Sequence, residues 1–251
     1  MEEVLRESSP ILRDWRNRLD VDCVLRGQGA DPAVIRSRSP VVIKFAERAL
    51  AEGMLLLSPI VIYRRLAVES VRHERIALRG GGFLTGKLVA EHLAAAQEIV
   101  AIAATIGEGL EDRISQVLKR DTMYALALDG FGTAAIETLA VVTCRHFSEV
   151  AAEEGMDTTI PLGPGMIGWP IEVGQKEFFA LLDTDKVGLK LTSSGLMVPR
   201  KSLSMVVGLG REVMKGARTC TYCAMQPTCR YQDHYATRSV MNQGRRRLET
   251  N

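Results

Sequence analysis

Long apolar runs are missing from this chain. No uninterrupted stretch reaches the roughly 18 residues that a membrane span needs. The opening residues, MEEVLRESSP, are acidic and polar rather than signal-like. Both absences lead to the expectation of a cytoplasmic protein with no membrane partner. An excess of one charge is missing too: 32 Lys and Arg stand against 30 Asp and Glu, a formal net charge of +2. That balance offers no electrostatic argument for nucleic acid, and Arg245-Arg246-Arg247 reads as a solvated end. Repeats and low-complexity tracts are absent. Cysteine is scarce, at five in 251 residues. A cytoplasmic setting keeps thiols reduced, so clustered cysteines there point to a metal before a disulfide.

What is present is 46% hydrophobic residues and 25% charged ones. That is enough apolar material for one large core, or a core plus a small appendage. Residues 1–36 are charged with scattered apolar positions and read as an N-terminal helical arm. Residues 40–56 have helical apolar spacing. IVIYRRLAVESV opens as a strand, and RIALRGG reads as a strand ending in a turn. LTGKLVAEHLAAAQEIVAIAATIG reads as a helix running into an apolar strand. LEDRISQVLKR is an amphipathic helix with its acids early and bases late, which suits the macrodipole. YALALDGFGTAAIETLAVVTCRHFSEVAAEEG is a second, long helix that contains Gly130, Gly132 and Cys144. Mid-helix glycine costs about 1 kcal/mol relative to alanine, so both glycines predict close packing of another element.

TTIPLGPGMIGWP is rich in proline and glycine and reads as an irregular loop. QKEFFALLDTDKVG follows as a short helix with a glycine stop. LKLTSSGLMVPRKSLSMVVGLG reads as two strands joined around Pro199-Arg200-Lys201. The segment GGFLTGK at 81–87 has the spacing of a phosphate loop, but Leu88 stands where such a loop needs Ser or Thr for magnesium. Gly80-Gly81-Gly82 reads instead as a turn from strand to helix.

Cys220, Cys223 and Cys229 are spaced C-x2-C-x5-C. A two-residue gap lets two thiolates converge on one metal. His234 is near enough in sequence to be a fourth ligand. An iron–sulfur cluster, zinc and no metal all remain open; a cluster held by three cysteines leaves one iron for His234, solvent or substrate. His73, His92 and His146 lack ligand-spaced neighbours and read as ordinary.

Four ordered blocks within residues 85–208 resemble the activation domain family of cobalamin-dependent methionine synthase, in its free-standing bacterial form. They are AIAATIGEGLEDRI, YALALDGFGTAAIETLA, PGMIGWPIEVGQKEFFALL and VGLKLTSSGLMVPRKSLSMVVG. The resemblance implies an α+β fold: a twisted antiparallel sheet flanked by helices, here with a small C-terminal Cys-rich metal-binding segment. The chain then divides into an arm at 1–36, an activation-like domain at 37–212, and the Cys segment and basic tail at 213–251. The resemblance also implies reductive reactivation, with S-adenosylmethionine held against cobalamin carried by a partner corrinoid protein or methyltransferase.

Pro164, Gly165, Trp169 and Pro170 keep the pattern of the family's adenosylmethionine loop. Pro161 stands where the family has arginine, and Met166 where it has tyrosine, so the guanidinium and phenol are both missing. Asp129, in the L-D-x-x-G block, matches a family aspartate. Arg200, Lys201 and Ser202 carry the P-R-K-S block and face an acidic partner or cofactor in this reading. Trp169 reads as a core or loop anchor. The cysteine cluster then suggests delivery of an electron from a ferredoxin-type donor. The runner-up is a non-catalytic adaptor that docks a corrinoid protein, with structural zinc and no S-adenosylmethionine. A third, weaker reading is a small-molecule methyltransferase that uses the inherited cleft.

Overall fold

The computed structural model describes residues 2–6, 8–12, 15–214 and 216–229. A first strand, β1 (Glu2–Arg6), leads through 3-10 turns to α1 (Val21–Gly27) and α2 (Pro32–Arg38). The Asp20 carboxylate caps α1 by accepting from the Cys23 N–H, and Asp31 caps α2 by accepting from the Ala33 N–H, with Pro32 in its first turn. There follow α3 (Pro40–Gly53), β2 (Ile60–Arg72), β3 (Arg75–Leu78), β4 (Phe83–Thr85), α4 (Lys87–Leu93) and β5 (Glu98–Thr105). Then come α5 (Gly109–Leu118), α6 (Thr122–Glu153), β6 (Asp157–Thr158), α7 (Ile171–Phe179), β7 (Lys190–Leu191), β8 (Met197–Val198) and β9 (Ser202–Gly210).

Seven strands form one antiparallel sheet in the order β4-β3-β2-β5-β9-β6, with β1 also on β2. β2 is long enough to take β1 along residues 60–64 and β3 along 68–72 on the same edge. Its other edge pairs with β5 along residues 60–67. β5 is covered on both faces, which is why it reads as a near-continuous apolar run. Val100, Ile102 and Ala104 face one core with Met205 and Val207. Ile99, Ala101 and Ala103 face the other with Val206. The helices α1, α3, α5 and α6 fill the first side; α4, α7 and the loop carrying Leu162 and Trp169 fill the second. The expected α+β class and flanked antiparallel sheet are therefore observed.

α6 is the centre of the helical layer, and its glycines mark two crossings. A Cβ on Gly130 would stand 2.4 Å from Gln28 Cγ and 2.9 Å from the Val24 carbonyl oxygen. A Cβ on Gly27 would stand 2.1 Å from the Gly130 carbonyl oxygen, so α1 crosses α6 backbone to backbone. A Cβ on Gly132 would meet Leu110 at 2.7 Å and the Lys201 stem at 3.1 Å. The close packing expected from the sequence is present at both. An eighteen-residue window of α6 has a mean hydropathy of 1.5, enough by composition for a membrane span, but 61% of it is buried in the core. Asp129 and Glu137 interrupt its apolar run in sequence.

Several local expectations shift. Gly80, Gly81 and Gly82, all at positive φ, turn β3 into β4 rather than into a helix. Three consecutive residues in that region suit a hairpin tip. Lys87 then opens α4 and pairs with Glu91 along the same helix at 3.8 Å. The ambiguous end of IVIYRRLAVESV is strand throughout, because β3 pairs with it. LKLTSSGLMV folds as its own hairpin, β7 with β8. Near the N-terminus β1 lies in the sheet, and Leu12, Trp15, Val24 and Leu25 are buried.

Candidate functional site

Two groups of expected residues lie along β9. The first is built on α6 and on the turn before β9. The Lys201 ammonium lies 2.8 Å from the Asp129 carboxylate and donates to the Thr133 hydroxyl at 3.0 Å. Asp129 and Thr133 are one helical turn apart, so they share a face. The Lys201 N–H donates to the Glu111 carboxylate of α5 at 2.8 Å. Lys201 is mostly covered, at 17% side-chain exposure, while Asp129 is half open at 50%. Gly132 leaves room for the lysine stem to reach this pair. Ser202 is buried and donates to the Pro199 carbonyl at 2.7 Å, which closes the turn. Arg200 is exposed.

The second group is the loop from Gly163 to Pro170. Residues before it run along the outer edge of β9: the Thr159 N–H donates to the Gly208 carbonyl, and Leu162 and Val206 bridge. The chain then bends away. The Gly165 N–H donates to the Trp169 carbonyl at 2.8 Å, and the Trp169 N–H to the Met166 carbonyl at 2.9 Å. Gly165 and Gly168 have φ of 97° and 90°, a region closed to most side chains. Met166 turns its sulfur back to the Gly163 N–H at 3.0 Å, so the thioether serves the loop itself. Trp169 is fully buried, as expected of an anchor, and a Cβ on Gly174 would come within 2.7 Å of its indole nitrogen. Pro164 packs against the same glycine. The Gly168 carbonyl accepts from the Leu88 N–H at the start of α4.

Sequence reasoning passed over several supports. Glu111 and Thr133 hold Lys201. The Gln175 side-chain carbonyl accepts from the Ser204 hydroxyl at 3.0 Å, both residues being buried, and ties α7 to β9. Gln175 lies in PGMIGWPIEVGQKEFFALL, but nothing in its spacing points to Ser204. His92, read as ordinary, is 1% exposed, with neither ring nitrogen hydrogen-bonded. Burial holds its pKa below the usual imidazole value, against the pull of Glu91. Tyr222 stands edge-on to it, with ring centroids 4.9 Å apart.

Among the described residues no three His, Cys, Asp or Glu side chains gather to hold a metal ion. Burial and then the neighbouring Cys223 push the Cys220 thiol up, Glu137 adding in the same direction and Arg218 opposing. Cys229 borders a hollow of about 510 Å³ with Asp22, Arg26, Asp31 and Arg36 of the α1–α2 region. A second hollow, about 480 Å³, lies between Glu2, Arg64, Leu181 and Lys186. Neither is lined by Asp129, Lys201 or the Gly163–Pro170 loop. His234 and the arginine run at 245–247 lie outside the described residues.

Against solved structures, one match decides the architecture. The MetH reactivation domain bound to AdoHcy matches at a TM-score of 0.62 over 86% of this chain and 81% of that domain, with 15% identity. The chain has the fold of the MetH reactivation domain. By sequence, no protein-family profile and no curated protein matches it. At 15% identity the likeness is one of fold, and the ligand contacts rest on this chain's own side chains.

Proposed function

We propose that this protein serves the reactivation of a cobalamin-dependent methyltransferase, holding S-adenosylmethionine beside a corrinoid carried by a partner protein. The observation that supports this is the shared fold with a domain that binds AdoHcy, the molecule left when S-adenosylmethionine gives up its methyl group. The cofactors supply the chemistry: a methyl donor on one side and a reduced corrinoid on the other. This chain's part is position and charge. An amino-acid zwitterion is complementary to the Asp129–Lys201 pair, its carboxylate to the ammonium and its ammonium to the carboxylate. Glu111 and Thr133 keep Lys201 in place. The loop at Gly165 and Gly168 offers a backbone surface for the rest of the ligand.

Electron delivery from a ferredoxin-type donor through an iron–sulfur cluster belongs to the segment from residue 213 onward. Cys220, Cys223, Cys229 and His234 would hold such a cluster, and the reading above takes no step through it. Iron and sulfide analysis of anaerobically prepared protein tests it. The second reading is an adaptor that docks a corrinoid protein without S-adenosylmethionine and with structural zinc. Pro161 and Met166 favour it, because they replace the expected guanidinium and phenol.

Calorimetry with AdoHcy separates the two. Wild-type protein is expected to bind, and Lys201→Met and Asp129→Asn to weaken binding tenfold or more, about 1.4 kcal/mol. Both variants should remain folded, because Asp129 stays half open to water and Lys201 keeps Thr133 as a partner when Asp129 is changed. Wild-type protein that ignores AdoHcy yet captures a corrinoid protein leaves the adaptor.

A further inference from the structure

The cysteine segment is not a loose appendage: it is seated on the candidate ligand loop. The Ile167 N–H, between Gly165 and Gly168, donates to the Tyr222 carbonyl at 2.8 Å. The Tyr222 ring stands against His92 at an interplanar angle of 88°. Thr219 to Tyr222 form a 3-10 turn, and the segment carries its own backbone bonds, from Thr221 to Arg218, Cys223 to Cys220 and Gln226 to Cys223. Its far end, at Cys229, reaches the α1–α2 region.

Its seat is costly. Both ring nitrogens of His92 and the Thr219 hydroxyl are buried with no hydrogen-bond partner. A buried polar group without a partner loses what water gave it, and regains it when the cover lifts. The contact also occupies the Ile167 N–H, a backbone donor at the centre of the loop. We propose that residues 216–229 are a strap that competes with the adenosyl ligand for the Gly163–Pro170 loop and lifts when the ligand binds. This rests on the reading that the loop belongs to the ligand site. It links ligand occupancy to exposure of Cys220 and Cys223, so that the thiols open to a partner when the site is filled.

The test uses the full chain, AdoHcy as the probe and a chromogenic disulfide reagent, with the labelled cysteines assigned by mass spectrometry. AdoHcy should speed labelling of Cys220 and Cys223 in the wild type. Tyr222→Ala should label quickly without ligand and bind AdoHcy about fivefold more tightly, since the competent state no longer has to be released. Thr219→Val removes a stranded hydroxyl and should act in the opposite sense, with slower labelling and weaker binding; it also stands in should Tyr222→Ala not fold. Binding that is unchanged in these variants overturns the strap and leaves the ligand site standing. If neither wild type nor variant binds AdoHcy, the ligand reading fails and the strap falls with it.

Discussion

Gly130 shows how little room one position can leave. In an ordinary exposed helix, alanine would stabilise by about 1 kcal/mol over glycine. Here the added carbon meets the Val24 carbonyl and the Gln28 backbone, which cannot move without shifting α1. Gly130→Ala is therefore expected to destabilise by roughly 1–3 kcal/mol, the usual cost of overpacking. The urea midpoint measures it, and a stabilised variant would contradict the crossing. Cys144 is a contrasting residue, with its sulfur 3.4 Å from Met205 Sδ. Burial of the thiol raises its pKa to about 12, so it serves as packing rather than as a nucleophile.

Three helices are joined by one carboxylate. The Tyr124 hydroxyl of α6 donates to Glu52 of α3 at 2.5 Å, and Arg113 of α5 bonds the same side chain. The Arg48 guanidinium covers the Tyr124 ring at 3.8 Å. Burial and then Glu52 push the phenol up to about 12, so it stays a donor across the working range. Tyr124→Phe should cost about 1–3 kcal/mol by leaving Glu52 short of a donor, again read as a shift of the denaturation midpoint.

At this scale the sequence was a good guide where periodicity is strong. The α6 run and its two glycines announced a packed helix, and β5 announced a buried strand. It was a poor guide where distant partners decide. The end of β2 is a strand because β3 lies beside it, and the LKLTSSGLMV hairpin is too short for a periodic signal. Asp129 and Lys201 were each legible as candidates, but their meeting was not. It depends on how α6 passes the turn before β9, and Glu111 carries no mark in its own neighbourhood. His92 looked ordinary because its significance comes from Tyr222, far along the chain.

Across the whole molecule, acid should act in two stages. Burial lowers the pKa of His92 and His146 below the ordinary imidazole value of about 6.5, so the folded state holds them neutral while the unfolded chain takes up protons. Unfolding then consumes protons, and stability present above pH 6.5 is lost as pH falls through the lowered values. Glu52 and Glu2 are also lowered: for Glu52 the largest cause is the Tyr124 hydrogen bond, and for Glu2 the Lys186 and Asp183 bonds outweigh burial. Their contribution is lost in turn below about the ordinary carboxylate range near pH 4.3. Melting temperature against pH should show both falls, and His92→Phe should shrink the upper one.

The pairing of β5 with β9 also sets a timetable. The two strands are adjacent in space but about a hundred residues apart along the chain. At roughly 5–20 residues per second, the ribosome needs about 5–20 s to deliver the later one. During that interval the nascent protein presents a bare, greasy strand edge that other chains could extend. A chain truncated between the two strands should therefore aggregate more readily than the full chain, which sedimentation of the two products compares.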